Sequence, residues 1–177
     1  MISGPNWSWV YDTANALWHE KASYLTERWQ GRTYIRVFDK NLVGSNNTGV
    51  LMDMSFDSMD ENGDHLIVEA ISPVLGPWPN QVIWDAVIID MEFGVGDGSA
   101  VDYSGMPQAM LSWSSDGGYS WSAERFAPLG ELGKRQIRLR YNKLGQSSWQ
   151  GRMYKLRISA PVRRVIIEAK ALVRVTD

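Results

Sequence analysis

Three arginines fall within six residues at Arg135, Arg138 and Arg140, with Tyr141 directly after and Glu131 just before. A guanidinium cluster binds carboxylates through paired N–H donors, and a Tyr–Glu pair can serve as a nucleophile. Together with an acid/base Asp, such groups are suited to glycoside cleavage. The same residues fit a plainer reading, because Arg138 and Arg140 alternate along a strand pattern and would form a solvated face. A glycosidase of the common kind also needs two carboxyl groups facing each other across a cleft. Residues 105–177 supply Asp116, Glu124, Glu131, Glu168 and Asp177. Of these, Asp116 sits in Ser114-Ser115-Asp116-Gly117-Gly118-Tyr119-Ser120-Trp121. In such a turn Asp accepts backbone N–H groups and glycine supplies positive φ. Asp116 is therefore expected to close its own turn, with Ser114, Gly118, Ser120 and Trp121 completing it and the Trp121 ring covering it. No catalytic residue is expected.

Other patterns carry less chemistry. Gly94-Val95-Gly96-Asp97-Gly98 is glycine-rich, but no helix pattern follows it, so the phosphate-binding device of such loops is missing. Asp57, Asp60, Asn62 and Asp64 offer oxygen ligands for Ca²⁺. Their spacing is not that of an EF-hand and no Glu closes the set, so a hairpin turn around Asn62-Gly63 is favoured. Cysteine is absent and His19 and His65 are the only histidines. No metal or cofactor is expected.

The elements that must hold these residues are strands. Nine Trp, seven Tyr and sixteen Gly in 177 residues suit an all-β chain with many tight turns. Thr33–Phe38, Val50–Met54, His65–Ile71 and Val82–Phe93 read as strands, the last being the longest. Ser8–Tyr11 and Leu17–Glu20 flank a turn at Asp12-Thr13-Ala14-Asn15, and Gln108–Trp113 and Ser122–Phe126 flank the Asp116 turn. Arg135–Tyr141 and Met153–Ile158 alternate strictly, with Ile137, Leu139 and Tyr141 inward. Short strands at regular spacing imply a sandwich, a barrel or propeller blades. The expectation is a single β domain over residues 1–177, built of antiparallel hairpins in β-propeller-like blades, with a β-sandwich as the alternative.

The net charge of −2 conceals a split. Residues 1–104 carry −10 and residues 105–177 carry +8. If the Arg135–Tyr141 and Met153–Ile158 strands pair, Arg138, Arg140, Lys155 and Arg157 share one sheet face. Such a stripe suits phosphates, contacted without reading sequence, or the acidic surface of a neighbouring copy. Asp85, Asp90 and Glu92 are the acidic counterparts, and subunit contact is favoured over DNA. Trp78, between Pro77 and Pro79, is a candidate interface anchor. No apolar run reaches a membrane span, because Asp85, Asp90 and Glu92 break the longest one. Met1–Asn6 has neither the basic nor the apolar part of a secretory leader, so the chain is expected to work in a cytoplasm or in a particle assembled there.

Ser114–Trp121 fits the Asp-box pattern, Ser/Thr-x-Asp-x-Gly-x-Ser/Thr-Trp, and resembles the turns on blades of sialidase-like propellers, where it is usually structural. A wider resemblance rests on an ordered set of segments: Trp9–Glu20, Gly49–Asp53, Met91–Gly96, Leu111–Trp121, Leu129–Gly133, Leu144-Gly145 and Ile158–Val162. In this order they resemble the C-terminal half of short-tailed bacteriophage packaged-DNA stabilisation proteins, also called tail hub or head-completion proteins. The resemblance implies a non-enzymatic, propeller-rich subunit of a ring, with six copies expected, of which this chain is the C-terminal part. It implies a place below the portal and its adaptor, where the ring plugs the DNA exit and receives the tail needle or spike. A sialidase-like or carbohydrate-binding propeller fragment is the alternative.

Overall fold

The computed structural model describes residues 1–55, 58–77, 80–93, 107–129, 136–162 and 164–176. Every regular element among them is a β-strand, so the all-β expectation holds. The chain divides into two compact units, Met1–Leu66 and Ile67–Asp177, within the stretch that the sequence presents as one domain.

The N-terminal unit is a set of short antiparallel ribbons. β1 (Ile2–Ser3), β2 (Ser8–Asp12) and β3 (Leu17–Glu20) form one sheet, and β4 (Gly31–Val37), β5 (Lys40–Ser45) and β6 (Leu51–Asp53) another. β7 (Asp60–Glu61) and β8 (Asp64–His65) form a third, two-stranded ribbon. Local turn chemistry sets these hairpins. Asp12 Oδ1 accepts the Ala14 N–H at 2.8 Å, and Asp12 Oδ2 accepts the Asn15 side-chain amide at 2.7 Å. Asn62 and Gly63 take φ of 57° and 90°, both in the left-handed region that a two-residue hairpin turn demands. Trp29 anchors the unit: its Nε1–H donates to Glu61 Oε1 at 2.7 Å, and Lys21 Nζ lies 3.7 Å above its ring. Burial holds the Lys21 ammonium below its ordinary value, against the pull of Glu61.

The C-terminal unit has two facing sheets. β9 (Val68–Ile71), β10 (Gln81–Phe93), β11 (Gln108–Ser114), β12 (Arg125–Pro128), β13 (Gln136–Gln146), β14 (Met153–Ile158) and β15 (Arg164–Thr176) sort into the orders β13-β10-β15 and β12-β11-β14-β9. All their pairings are antiparallel. Val82, Trp84, Val87, Ile89, Met91, Leu139 and Tyr141 from the first sheet form one core with Ala109, Leu111, Ala127, Tyr154, Leu156 and Ile158 from the second. Trp84 meets Tyr154 edge-on at 5.1 Å, and the Tyr141 hydroxyl donates to the Ala109 carbonyl at 2.9 Å. β14 shows the expected alternation, with Tyr154, Leu156 and Ile158 buried between partly exposed residues.

This unit is the sandwich that the sequence offered as its alternative, in place of the propeller-like blades. A blade is a meander, in which consecutive strands pair within one sheet. Here the chain crosses between layers: β9 lies in the second sheet, β10 in the first, β11 and β12 in the second, β13 in the first, β14 in the second and β15 in the first. Hairpin and alternation signals are the same in both architectures, and only the pairing partners separate them. The Trp9–His19 hairpin exists as β2 and β3, but its sheet has three strands, with β1 beside β2.

Candidate functional site

The Ser114–Trp121 turn follows β11 directly. Ser114 is buried, and its hydroxyl donates to Asp116 Oδ1 at 2.6 Å while accepting the Gly118 N–H at 2.8 Å. Asp116 Oδ1 also accepts the Ser120 N–H at 3.0 Å, and Oδ2 accepts the Ser120 hydroxyl. These bonds, from Ser114 first and then from Ser120, hold the Asp116 carboxyl far below the usual carboxylate range. Gly117 and Gly118 have φ of 75° and 96°, values closed to most side chains. Beyond the turn, Ser122 N–H donates to the Trp113 carbonyl at 2.8 Å, and β11 pairs with β12 from Leu111↔Arg125 to Gln108↔Pro128. Trp121 carries Lys155 Nζ 4.2 Å above its ring. Both Asp116 oxygens are engaged within the turn, an arrangement suited to holding a hairpin tip and not to transferring protons.

The basic stripe is not assembled as expected. β13 pairs with β10, whereas β14 pairs with β11 and β9, so the two strands lie in opposing sheets. Their inward residues, Leu139 and Tyr141 on one and Tyr154 and Leu156 on the other, share the core. Arg138 and Arg140 therefore point away from the sandwich on one side, and Lys155 and Arg157 on the other. Strict alternation fixes which residues share a face of one strand; it says nothing about which strand lies alongside.

Each of the four has a neighbour within the chain. Arg138 makes a two-point contact with Asp90, directly across the ladder, at 2.7 and 3.2 Å. That contact lowers the Asp90 carboxyl and raises the Arg138 guanidinium. Arg140 Nε donates to Asn142 Oδ1 at 2.8 Å, and Arg157 lies 3.7 Å from Glu124 and 4.0 Å from Glu69. Asp85, an expected partner for a neighbouring copy, is held by Arg174 through two bonds of 2.7 Å. The acidic and basic strands of this sheet thus neutralise each other laterally.

The arrangement that glycoside cleavage needs is also not formed by the described residues. Tyr141 points into the core with its hydroxyl bonded to a backbone carbonyl, and burial pushes that hydroxyl far above its ordinary value. Arg138 and Arg140 point the opposite way from the same strand. Among the described residues no three His, Cys, Asp or Glu side chains group as metal ligands, and Asp60 accepts the Gly63 N–H of its own turn. Glu131, Arg135, Asp57, Trp78, Arg163, Asp177 and the Gly94–Gly98 stretch lie outside the described residues.

From the sequence Arg152 reads as a cation near the end of the basic stripe, and the structure buries it instead. Its side chain is buried at 3% exposure, with Nη1 donating to the Leu144 carbonyl at 2.7 Å and Nη2 to the Gln146 carbonyl at 2.8 Å. The guanidinium lies 5.4 Å from the Trp113 ring and 5.9 Å from the Trp84 ring. It ties the end of β13 to the opposing sheet. The Tyr154 hydroxyl beside it is pushed up to about 12 by burial, an effect that the nearby Arg152 opposes. The available signal was parity, since 152, 154, 156 and 158 are alternate positions of one strand pattern.

A small apolar cavity of about 140 Å³ opens between the sheets, lined by Val68, Ala70, Leu156 and Ile158 on one side and Met91, Arg164 and Ile166 on the other. It has no converging polar groups of the kind that orient a small ligand.

Residues 68–174 match the family model described as Bacteriophage P22 Gp10, beta-sandwich. The matched residues are the two-sheet unit, from β9 to within β15, and they make up more than half of the chain. No curated protein matches the chain. The chain belongs to this bacteriophage structural family, in agreement with its sequence resemblance to short-tailed phage head-completion proteins.

Proposed function

From that membership we propose that the chain is a non-enzymatic component of a short-tailed phage tail: a hub that closes the portal channel and keeps packaged DNA in the head. The observation that carries this reading is the family match across the whole sandwich. It is supported by the internal use of the groups that catalysis would need: Asp116 in its turn, Tyr141 in the core, Arg138 on Asp90. In this role the hub forms a ring, with six copies expected, between the portal adaptor above and the needle or spike below. It assembles onto the particle in the host cytoplasm and remains in the virion.

Arg140 and Lys155, held by an amide and an indole face rather than by carboxylates, are the cations best placed to meet a neighbouring subunit or passing phosphates. They lie on opposite outer faces, so one face can serve each purpose. The test is co-sedimentation of the purified chain with heads that carry portal and adaptor but no later tail proteins. Saturable binding of a fixed number of copies per particle is expected. No binding to those heads, or equal binding to heads without adaptor, would overturn the proposal.

A further inference from the structure

β12 ends one sheet and β13 ends the other, and Arg125 joins them. Arg125 stands opposite the buried Leu111 in the ladder, so it takes the inward side of β12 at the rim of the sandwich. From there its Nη1–H donates to the Asn142 carbonyl at 2.7 Å, and its guanidinium lies 5.0 Å from the Trp113 ring. Arg140 Nε–H donates to the side chain of the same Asn142 at 2.8 Å. Two exposed guanidinium groups, one from each sheet, thus converge on one residue.

A bulge adds a third cation. Trp84 pairs with Gly145 and Ala86 with Asn142, so Asp85 alone faces both Lys143 and Leu144. Strict alternation from Leu139 and Tyr141 would turn Lys143 into the core. The extra residue turns it out beside Asn142, and Leu144 takes the buried place. Lys143 adopts φ of 55° to do so, a conformation that side chains other than glycine rarely take. Such strain collects at functional positions.

Like charges gathered this way repel, and carboxylates of the same unit do not relieve them. Asp85 is held by Arg174, Asp90 by Arg138, Glu168 by Lys170, and Asp116 by its own turn. Glu124, next to Arg125 in sequence, lies instead 3.7 Å from Arg157, which also approaches Glu69. Among the described residues no carboxylate pairs with Arg125, Arg140 or Lys143. The sandwich of a neighbouring copy brings the same engaged acids, whereas DNA brings an unpaired anion at every phosphate. Arginines fixed in place, one by a carbonyl and a ring and the other by an amide, suit phosphate oxygens.

We propose that Arg125, Arg140 and Lys143 form a seat for the phosphates of duplex DNA, contacted without reading its sequence. This rests on the hub reading, which brings the chain to the DNA exit, and it assigns the Arg140 face to DNA. Lys155, on the opposite face, takes no part.

The test is a nuclear magnetic resonance titration of the whole chain with a short duplex of arbitrary sequence at low salt, a method that registers weak binding and locates it. The Arg125 and Arg140 Nε–H signals and the Lys143 amide are expected to move together, with the Lys155 and Arg157 amides still. Each phosphate contact steepens the salt dependence by about 0.9 in log–log slope, so three contacts weaken binding about 20-fold for a threefold rise in salt. Arg140→Gln, or Lys143→Gly, whose glycine accepts the same φ, should cut this to about 7-fold. Lys155→Gln should leave it unchanged, as should a second duplex of unrelated sequence.

A chain that shows no shifts, shifts centred away from Asn142, or an unaltered salt dependence in both Arg140→Gln and Lys143→Gly overturns the proposal. Poly-glutamate that displaces the duplex at equal charge concentration also overturns it, and points to an acidic protein surface in place of phosphates. The two readings fail separately. A chain that binds DNA here but ignores heads carrying portal and adaptor ends the hub and leaves the seat; a chain that binds those heads without these shifts ends the seat and leaves the hub.

Discussion

The two units of this chain spend their aromatic residues differently. In the N-terminal unit Trp29 and Val43 are the only buried apolar residues among those described, while Trp7, Trp9, Tyr11, Trp18, Tyr34 and Phe38 remain exposed. In the C-terminal unit sixteen apolar residues among those described are buried, and Trp84, Tyr141 and Tyr154 are among them. The strands explain the difference. Strands of two to seven residues make ribbons with too little face to bury, whereas β10 and β13 run thirteen and eleven residues and lie over a second sheet. The unit with the dense core is also the one the family model recognises. Core density and family identity thus coincide in the sandwich, while the exposed aromatic surface belongs mainly to the ribbons.

The contrast can be broken most forcefully at Arg152. Arg152→Ala would strand two carbonyls and open a gap between two indoles, a loss of about 3–5 kcal/mol. Chemical denaturation should show it as a drop in midpoint with β10 and β11 melting together. In the ribbons, Trp29→Ala should cost about 3 kcal/mol. Hydrogen exchange should quicken in β2 and β5 and stay unchanged in β10 and β11. Uniform quickening would mean that the two units share one core after all.

Gly151→Ala probes the sandwich more gently. Its φ is 84°, and an added Cβ would meet the Leu75 carbonyl oxygen at 2.7 Å, so about 1–3 kcal/mol is expected in a thermal melt. Smallest is the pH effect. Asp85, Asp90 and Asp116 all have folded values below 3.8, so the stability they supply is complete above that value. It fades as pH falls below it, and Asp116→Asn should flatten this acid limb. Lys21 shifts downward too, but it is a base disfavoured in its charged form. The ribbon unit should therefore gain stability as pH rises toward 10.5. Unit-specific tryptophan fluorescence, followed through an acid and an alkaline titration, separates the two limbs.

Much of the local structure was legible in the sequence because its causes are local. Asp12-Thr13-Ala14-Asn15 and Asn62-Gly63 carry their own turn chemistry, and Tyr154, Leu156 and Ile158 alternate without interruption. What the sequence hid is non-local. Nothing in Arg135–Tyr141 or Met153–Ile158 says that they lie in opposite sheets, so four cations on two faces read as one stripe. Blades and sandwiches share their hairpins, and the choice between them rests on pairings such as Ile88↔Arg140 and Trp113↔Tyr154. Arg152 reads as a surface cation at the end of the stripe because a charged residue is rarely fully buried, and its acceptors are backbone carbonyls that no side-chain pattern reveals. The step between the units at Leu66 and Ile67 falls in an apolar run, with no Gly or Pro to mark it.

The measurement that bears most directly on the hub is genome retention. Phage particles assembled without this chain should package DNA and then lose it, leaving a nuclease-sensitive genome, and adding the purified chain to fresh particles should restore protection. Particles that retain a nuclease-resistant genome without the chain would contradict the account.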